Sequence, residues 1–298
     1  MTTIRLHPHP QPLLLPVSAL KPTARKPQVL LSPPPSPPPL TDSGLLFREK
    51  LSYLSSLNVD PHKALRENPD FRSCPLSALH SVEDCLSSFG LPRSSLGRIL
   101  DMYPQLLTAE PYADLYPVFD FLLNEVRIPF HDIKKSITRC PRILICSVPD
   151  QLRPTHSFLR SFGFVGPHAI ACQTTVLLVS SVKFTLLPKI EYLQSLGFEY
   201  RDVVNMVIRS PGLLTFSIEN NYKPKVDYFL GEMKGDLAEL KRFPQFFSFS
   251  LEGKIKPRHR QLVRHGFRLS LPEMLRVSDG EFNERLIEMQ LKMVDNGR

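Results

Sequence analysis

Apolar residues in this chain recur at helical spacing in short blocks, and prolines separate the blocks. Behind Pro188 the apolar positions are Ile190, Leu193 and Leu196; behind Pro224 they are Val226, Phe229 and Leu230. Steps of three and four residues place such side chains on one face of a helix. A second kind of block, Asp202 to Arg209, carries Val203, Val204, Val207 and Ile208 and runs towards Pro211. Proline disfavours helix in the residue before it, so this block is predicted to end there. The stretch from Gly212 to Ser217 is too short for a long helix and is predicted to be a tight helical turn.

The pattern repeats. Pro69, Pro104, Pro141, Pro211 and Pro244 have similar neighbours, and Thr174 falls in the same register; the spacings are 35, 37, 33, 37 and 33 residues. Four residues before each anchor stands an apolar side chain: Leu65, Leu100, Ile137, Ile170, Val207 and Leu240. Two and three residues after it comes an apolar pair, from Leu106 and Leu107 through Val176 and Leu177 to Phe246 and Phe247. Ser147, Ser180, Ser217 and Ser250 stand six residues after their anchors. A second proline follows 13 or 14 residues after the anchor, at Pro117, Pro154, Pro188, Pro224 and Pro257. It is predicted to take the first helical position, where a missing N–H needs no acceptor. Gly163, Gly197 and Gly266 lie nine residues after their prolines and suit a left-handed C-terminal cap, with Phe164, Phe198 and Phe267 folding back onto the helix.

Each unit therefore reads helix, turn, helix, short turn. Such a unit cannot bury its apolar face alone, so the units must stack. The fold class expected is an all-α helical-repeat solenoid of about six to seven units. It is expected to occupy residues 42–282, followed by a C-terminal helical tail at 283–298.

Residues 1–41 break the pattern. They hold twelve of the 30 prolines, no Asp or Glu, and the cations Arg5, Lys21, Arg25 and Lys26. The run from Pro33 to Pro39 cannot be helix or central strand, because proline lacks the donor N–H. A basic, acid-free, proline- and hydroxyl-rich start reads as an organelle transit peptide with a linker. Sparse arginine favours a plastid, with the mitochondrion as the alternative. This segment carries half of the formal net charge of +8, so the repeat region is only mildly basic.

Composition narrows the function. No apolar run approaches the length of a membrane-spanning helix. The five cysteines (Cys74, Cys85, Cys140, Cys146 and Cys172) form no CxxC pair, which argues against a disulfide framework or a four-cysteine zinc site. The sequence has no phosphate-binding GxxxxGK[ST] loop, no GxSxG, no HExxH and no GxGxxG. The expectation is a non-enzymatic protein without metal or cofactor, monomeric by default.

Paired prolines with "Pro-x-apolar-apolar" and then "Leu-x-x-x-Gly-Phe" carry a family resemblance. RCPRILICSVPDQLRPTHSFLRSFGF (139–164), RSPGLLTFSIENNYKPKVDYFL (209–230) and RFPQFFSFSLEGKIKPRHRQLVRHGF (242–267) resemble the mitochondrial transcription termination factor (mTERF) family, which is greatly expanded in plant organelles. LSLPEMLRVSDGEF (269–282) is similar to the closing segment of its plant members. The resemblance covers about residues 55–282, and departs from the family at Thr174, Arg72 and Glu110. It implies a left-handed superhelix, curved like a half ring, whose basic concave face holds nucleic acid. It further implies a role in organelle transcription termination, or in the maturation of transcripts such as ribosomal or intron-containing RNA.

Phosphate backbones are bound by arrayed cations. Arg139, Arg209 and Arg242 lie two residues before their anchors, and Arg153, Lys189, Lys223, Lys225, Lys256 and Arg258 flank the second prolines. Helix N-termini there add free N–H groups that favour phosphate. The densest patch, Lys241 to Arg268, has eight Lys or Arg against one acid, Glu252; it adds Lys254, Arg260 and Arg264 to the candidates. Tyr103, Phe216, Tyr222, Phe249 and Phe282 could stack on bases, but core packing is the commoner use of such aromatics, so none is assigned. The partners expected are organelle DNA or RNA and organelle transcription or RNA-processing proteins. A second reading is a protein–protein scaffold that uses the same concave face.

Overall fold

Proline sets the rhythm of the helices in the computed structural model of the chain, which describes residues 43–296. These residues belong to one compact unit, Asp42–Arg298. The transit and linker segment expected over 1–41 lies outside the described residues. Among the described residues all regular structure is helical.

In chain order the helices are α1 (Ser43–Ser56), α2 (Pro61–Glu67), α3 (Leu76–Ser88), α4 (Arg93–Met102), α5 (Tyr116–Asp120), α6 (Phe130–Arg139) and α7 (Arg153–Phe162). They continue with α8 (Leu187–Ser195), α9 (Tyr200–Arg209), α10 (Lys223–Gly231), α11 (Leu237–Arg242), α12 (Lys256–Arg264), α13 (Leu271–Leu275) and α14 (Asp279–Asn296). The tail thus starts at Asp279 rather than 283, and Phe282 and Leu286 bury their side chains.

Each anchor proline ends one helix and opens a 3₁₀ turn. The residue before it leaves the helical region, as Tyr103 (φ −136°, ψ 75°) and Ser210 (φ −142°, ψ 75°) show. The tight turn follows: Pro104–Thr108, Pro141–Ile145, Pro211–Thr215 and Pro244–Ser248. Its apolar pair is buried in each of these units.

The second proline does not open its helix. The helix begins earlier, in a wide π turn such as Val148–Leu152 before α7, so that Pro154 is the second residue of the α-helical part. The wide turn bonds five residues back, with the Leu152 N–H donating to the Ser147 carbonyl at 3.0 Å and the Ile255 N–H to the Ser250 carbonyl at 3.0 Å. A proline ring clashes with the carbonyl four residues before it in an ordinary α-turn, and the wider turn relieves that crowding. The recurrent serine caps this turn: the Ser147, Ser217 and Ser250 hydroxyls accept from the N–H of Asp150, Asn220 and Gly253. Glu110 fills the same place before α5, accepting from the Ala113 N–H. Five residues after each cap a side chain is completely buried: Leu115, Leu152, Leu186, Tyr222 and Ile255.

The fourth unit is one residue out of the register expected from sequence. Its cap is Ser181, accepting from the Phe184 N–H, not Ser180. Its buried apolar pair is Leu177 and Leu178, while Val176 is 41% exposed. Thr175, buried, therefore stands where other units have their anchor proline, and Thr174 does not. The helix that should precede it is also missing, replaced by a short 3₁₀ turn at Gly166–His168. Gly163 (φ +123°) and Gly197 (φ +104°) take the expected cap conformation, and Arg127 (φ +65°) and Lys234 (φ +53°) adopt it in units without that glycine.

Candidate nucleic-acid interface

Cations flanking the second prolines divide by helical phase. Lys225 is 6% exposed and donates to the Phe247 carbonyl in the next unit's 3₁₀ turn at 2.6 Å. Lys189 does the same to the Leu214 carbonyl at 2.5 Å. Arg258, 3% exposed, donates to the Met274 and Val277 carbonyls and to Asp279, at 2.6, 3.1 and 2.5 Å. These three were expected at the phosphate-binding surface; they are instead buried locks between units. A helix end leaves carbonyls without partners, and a cation from the preceding unit satisfies them. Burial pulls the Lys225 ammonium down to about 8 and lowers that of Lys189 as well. At the same repeat position Thr155 donates to the Ser180 carbonyl at 3.3 Å, and Val118 is simply apolar.

A second group reaches the surface but is already engaged. Arg153 forms a two-pronged pair with Glu125, at 2.9 and 2.6 Å, and that pairing holds the Glu125 carboxyl below its usual range. Lys223 pairs with Glu219 at 2.6 Å. Lys254 is half-buried, donates to the Val277 carbonyl at 3.1 Å and lies over the Phe249 ring.

The cations before the anchors lie at the C-terminal ends of α6, α9 and α11, and all three are exposed. Arg209 reaches the end of α11, donating to the Lys241 and Arg242 carbonyls at 2.5 and 3.4 Å. Lys241 in turn pairs with Asp202 of α9 at 2.7 Å. Arg276 stacks over the Phe243 ring, 5.0 Å away. Arg209, Lys241 and Arg242 therefore come together on one edge, with Arg276 stacked on Phe243, the residue that follows α11. Arg139 stands on the same element of its own unit, where Arg98 donates to the neighbouring Thr138 carbonyl at 3.1 Å.

The third group lines a cleft between α10 and α12. Lys256, Arg260 and Arg264 project from α12 at four-residue spacing, beside Tyr228, Glu232, His259 and the exposed Val263. Lys256 pairs with Glu252 and sits over the Tyr228 ring at 5.5 Å. The Tyr228 hydroxyl and His259 Nδ1 are 2.9 Å apart. Burial holds the His259 imidazole below its usual value and raises the Tyr228 phenol. Arg260 and Arg264 are exposed and make no ion pair among the described residues. Nothing in the sequence spacing pointed to the Tyr228–His259 pair, whereas the cations Lys256, Arg260 and Arg264 were visible there as part of the basic patch.

Of the aromatics considered for stacking, Tyr222 and Phe282 are buried, and Tyr103, Phe216 and Phe249 pack against the core. Among the described residues no group of three or more His, Cys, Asp or Glu is placed to hold a metal ion, and no helix is long and apolar enough to cross a membrane.

The chain matches the mTERF family model over residues 83–175 and 125–283. The chain belongs to the mTERF family. Similar curated proteins include transcription termination factor MTERF4, chloroplastic, of Oryza sativa subsp. japonica, 37% identical over 36% of this chain and 21% of the relative. Transcription termination factor MTERF5, chloroplastic, of Arabidopsis thaliana is 34% identical over 50% of this chain and 30% of the relative. Transcription termination factor MTERF8, chloroplastic, of Arabidopsis thaliana is 23% identical over 74% of this chain and 44% of the relative. The chain therefore spans less than half the length of these mTERF relatives.

Proposed function

We propose that this mTERF protein acts in chloroplast gene expression by clamping nucleic acid along its exposed cations. The relatives' names give the compartment and the process, termination of transcription. The observation that carries the reading is the α12 face, where Arg260 and Arg264 stand exposed and free of ion pairs beside Lys256. The edge formed by Arg209 and Arg242, and Arg139 on the equivalent element, extend the set. Cations held at fixed separation on stacked units neutralise successive phosphates and release their counterions. Such contacts position the protein without reading sequence. A clamp on a template blocks a polymerase; on a transcript it guards or presents an end, and both outcomes follow from the same contacts.

Binding of the purified protein to a short duplex DNA and to an RNA hairpin, followed by fluorescence anisotropy across a salt series, tests this. About six phosphate contacts give a log–log slope near −5 on duplex DNA. A slope near zero, or no binding to either probe, overturns the reading and makes the protein-scaffold function the leading one. Crosslinking in the organelle then separates the two roles: recovery of a DNA locus fits termination, and recovery of RNA alone fits transcript maturation.

A further inference from the structure

The helix face that is basic on α12 has a counterpart at the other end of the repeat array. Counted from the cap, Lys256 and Arg260 follow Ser250 by six and ten residues, and Tyr116 and Asp120 follow Glu110 by the same steps. At this second site α3, α5 and α6 expose an aromatic surface. Tyr112 and Tyr116 are 78% and 37% exposed and stack with their ring centroids 5.1 Å apart. Phe89 lies against Phe119 at 3.6 Å, Tyr116 at 6.0 Å and Phe130 at 6.1 Å, and Phe130 is 59% exposed. Pro117 and Leu123 complete the shallow cleft, and Asp120 stands at its rim. One Asp120 oxygen accepts from the Asn124 amide at 2.6 Å, which leaves the other available. No cation lines the cleft, while Glu110 and Asp114 flank Tyr112 on the same turn.

We propose that this cleft docks a proline-rich segment of a partner protein carrying an Arg or Lys beside the prolines. Three features select that occupant. Exposed aromatic rings present flat faces on which proline rings pack, and an extended polyproline helix meets them with little ordering entropy to lose. That helix makes no internal hydrogen bonds, so its carbonyls accept from phenol hydroxyls; an amphipathic helix has its carbonyls already engaged. Neither the Tyr112 nor the Tyr116 hydroxyl has a hydrogen-bond partner among the described residues, so both are available to donate. The carboxylates select a basic flank and repel a nucleic-acid backbone, which excludes the stacking of bases as the use of these rings.

The experiment uses the full chain and a fluorescein-labelled peptide, Arg-Pro-Leu-Pro-Pro-Leu-Pro-Pro, read by anisotropy. Binding is expected to weaken at least about tenfold in Tyr112→Ala and in Tyr116→Ala, because aromatic anchors carry most of such an interface. Asp120→Asn should weaken this peptide several-fold and leave a version with Leu in place of Arg unchanged. Tyr112 is largely exposed, so its replacement leaves the fold intact, and circular dichroism checks this. The triple variant Lys256→Glu, Arg260→Glu, Arg264→Glu should bind the peptide as the wild type does, which separates this site from the nucleic-acid face. Absence of peptide binding, or equal binding by wild type and Tyr112→Ala, overturns the proposal. So does loss of affinity for oligouridylate in Tyr112→Ala, which would assign the rings to base stacking.

Discussion

The units around α5 and α12 are built to one plan and present opposite surfaces. Both begin with a capped wide turn, carry proline seven residues after the cap and bury the residue five after it, Leu115 or Ile255. The position eight after the cap faces the next unit. In the α5 unit it is Val118, held by apolar contact; in the α12 unit it is Arg258, bonded to two carbonyls and to Asp279. Outward, Tyr112, Tyr116 and Asp120 are replaced by Glu252, Lys256 and Arg260. Repetition fixes where a side chain goes, and residue identity then decides what that place does. The same scaffold thus offers an aromatic, acidic face early in the array and a basic one late.

The largest test attacks the buried member of the late unit. Arg258→Glu puts a carboxylate among carbonyls and opposite Asp279, which should cost about 3–5 kcal/mol and unfold the C-terminal units, as urea denaturation followed by circular dichroism will show. A variant of normal stability would mean that Arg258 is not a lock. Next in size, the triple reversal at Lys256, Arg260 and Arg264 should lower nucleic-acid affinity by at least about tenfold and reduce the salt slope by about 3, with an unchanged melting temperature. Tyr112→Ala, on the early face, should leave that affinity as it was; equal losses in both variants would erase the distinction between the faces.

Lys225→Met removes the donor to the Phe247 carbonyl and leaves a buried acceptor alone, an expected cost of about 1–3 kcal/mol. This lysine also gives a pH signature. Its ammonium is pulled from 10.5 to about 8 in the folded chain, so between those values the unfolded chain holds more protons than the folded one. Stability contributed at this site should therefore rise as pH goes from about 8 towards 10.5, and the wild type should gain on Lys225→Met over that window. Urea midpoints at the two ends of the window measure it; a gap that closes as pH rises contradicts the assignment. The smallest effect belongs to Thr155→Val, the neutral member of the same column, which should lose about 1 kcal/mol or less with its single bond to the Ser180 carbonyl.

Much of the fold was legible in the sequence because repeats expose their own rules. Anchor prolines, the apolar pairs after them and the glycine caps act over a few residues, so local preferences reveal them. The fourth unit misled because Thr174 and Thr175 both lack the ring that marks an anchor, and because Ser180 and Ser181 offer equal caps. The candidate site was less legible. Lys223 and Lys225 flank one proline, yet the first is exposed and paired with Glu219 while the second is buried. Two residues on a helix point to nearly opposite sides, so the outcome turns on the phase of the helix. That phase is set by a wide turn upstream, which holds one residue more than an α-turn and does not announce itself in composition.

By itself the sequence determined the helical repeat, its period and the positions where cations concentrate, since each follows from residue type and short spacing. Only the tertiary structure decided which cations face solvent. Stacking brings each helix against main-chain carbonyls of the next unit, in the 3₁₀ turn for Lys189 and Lys225 and at and just beyond α13 for Arg258; these carbonyls draw the three cations in and leave Arg260 and Arg264 outside. Burial is a property of contacts between units about 35 residues apart, and no local pattern contains it.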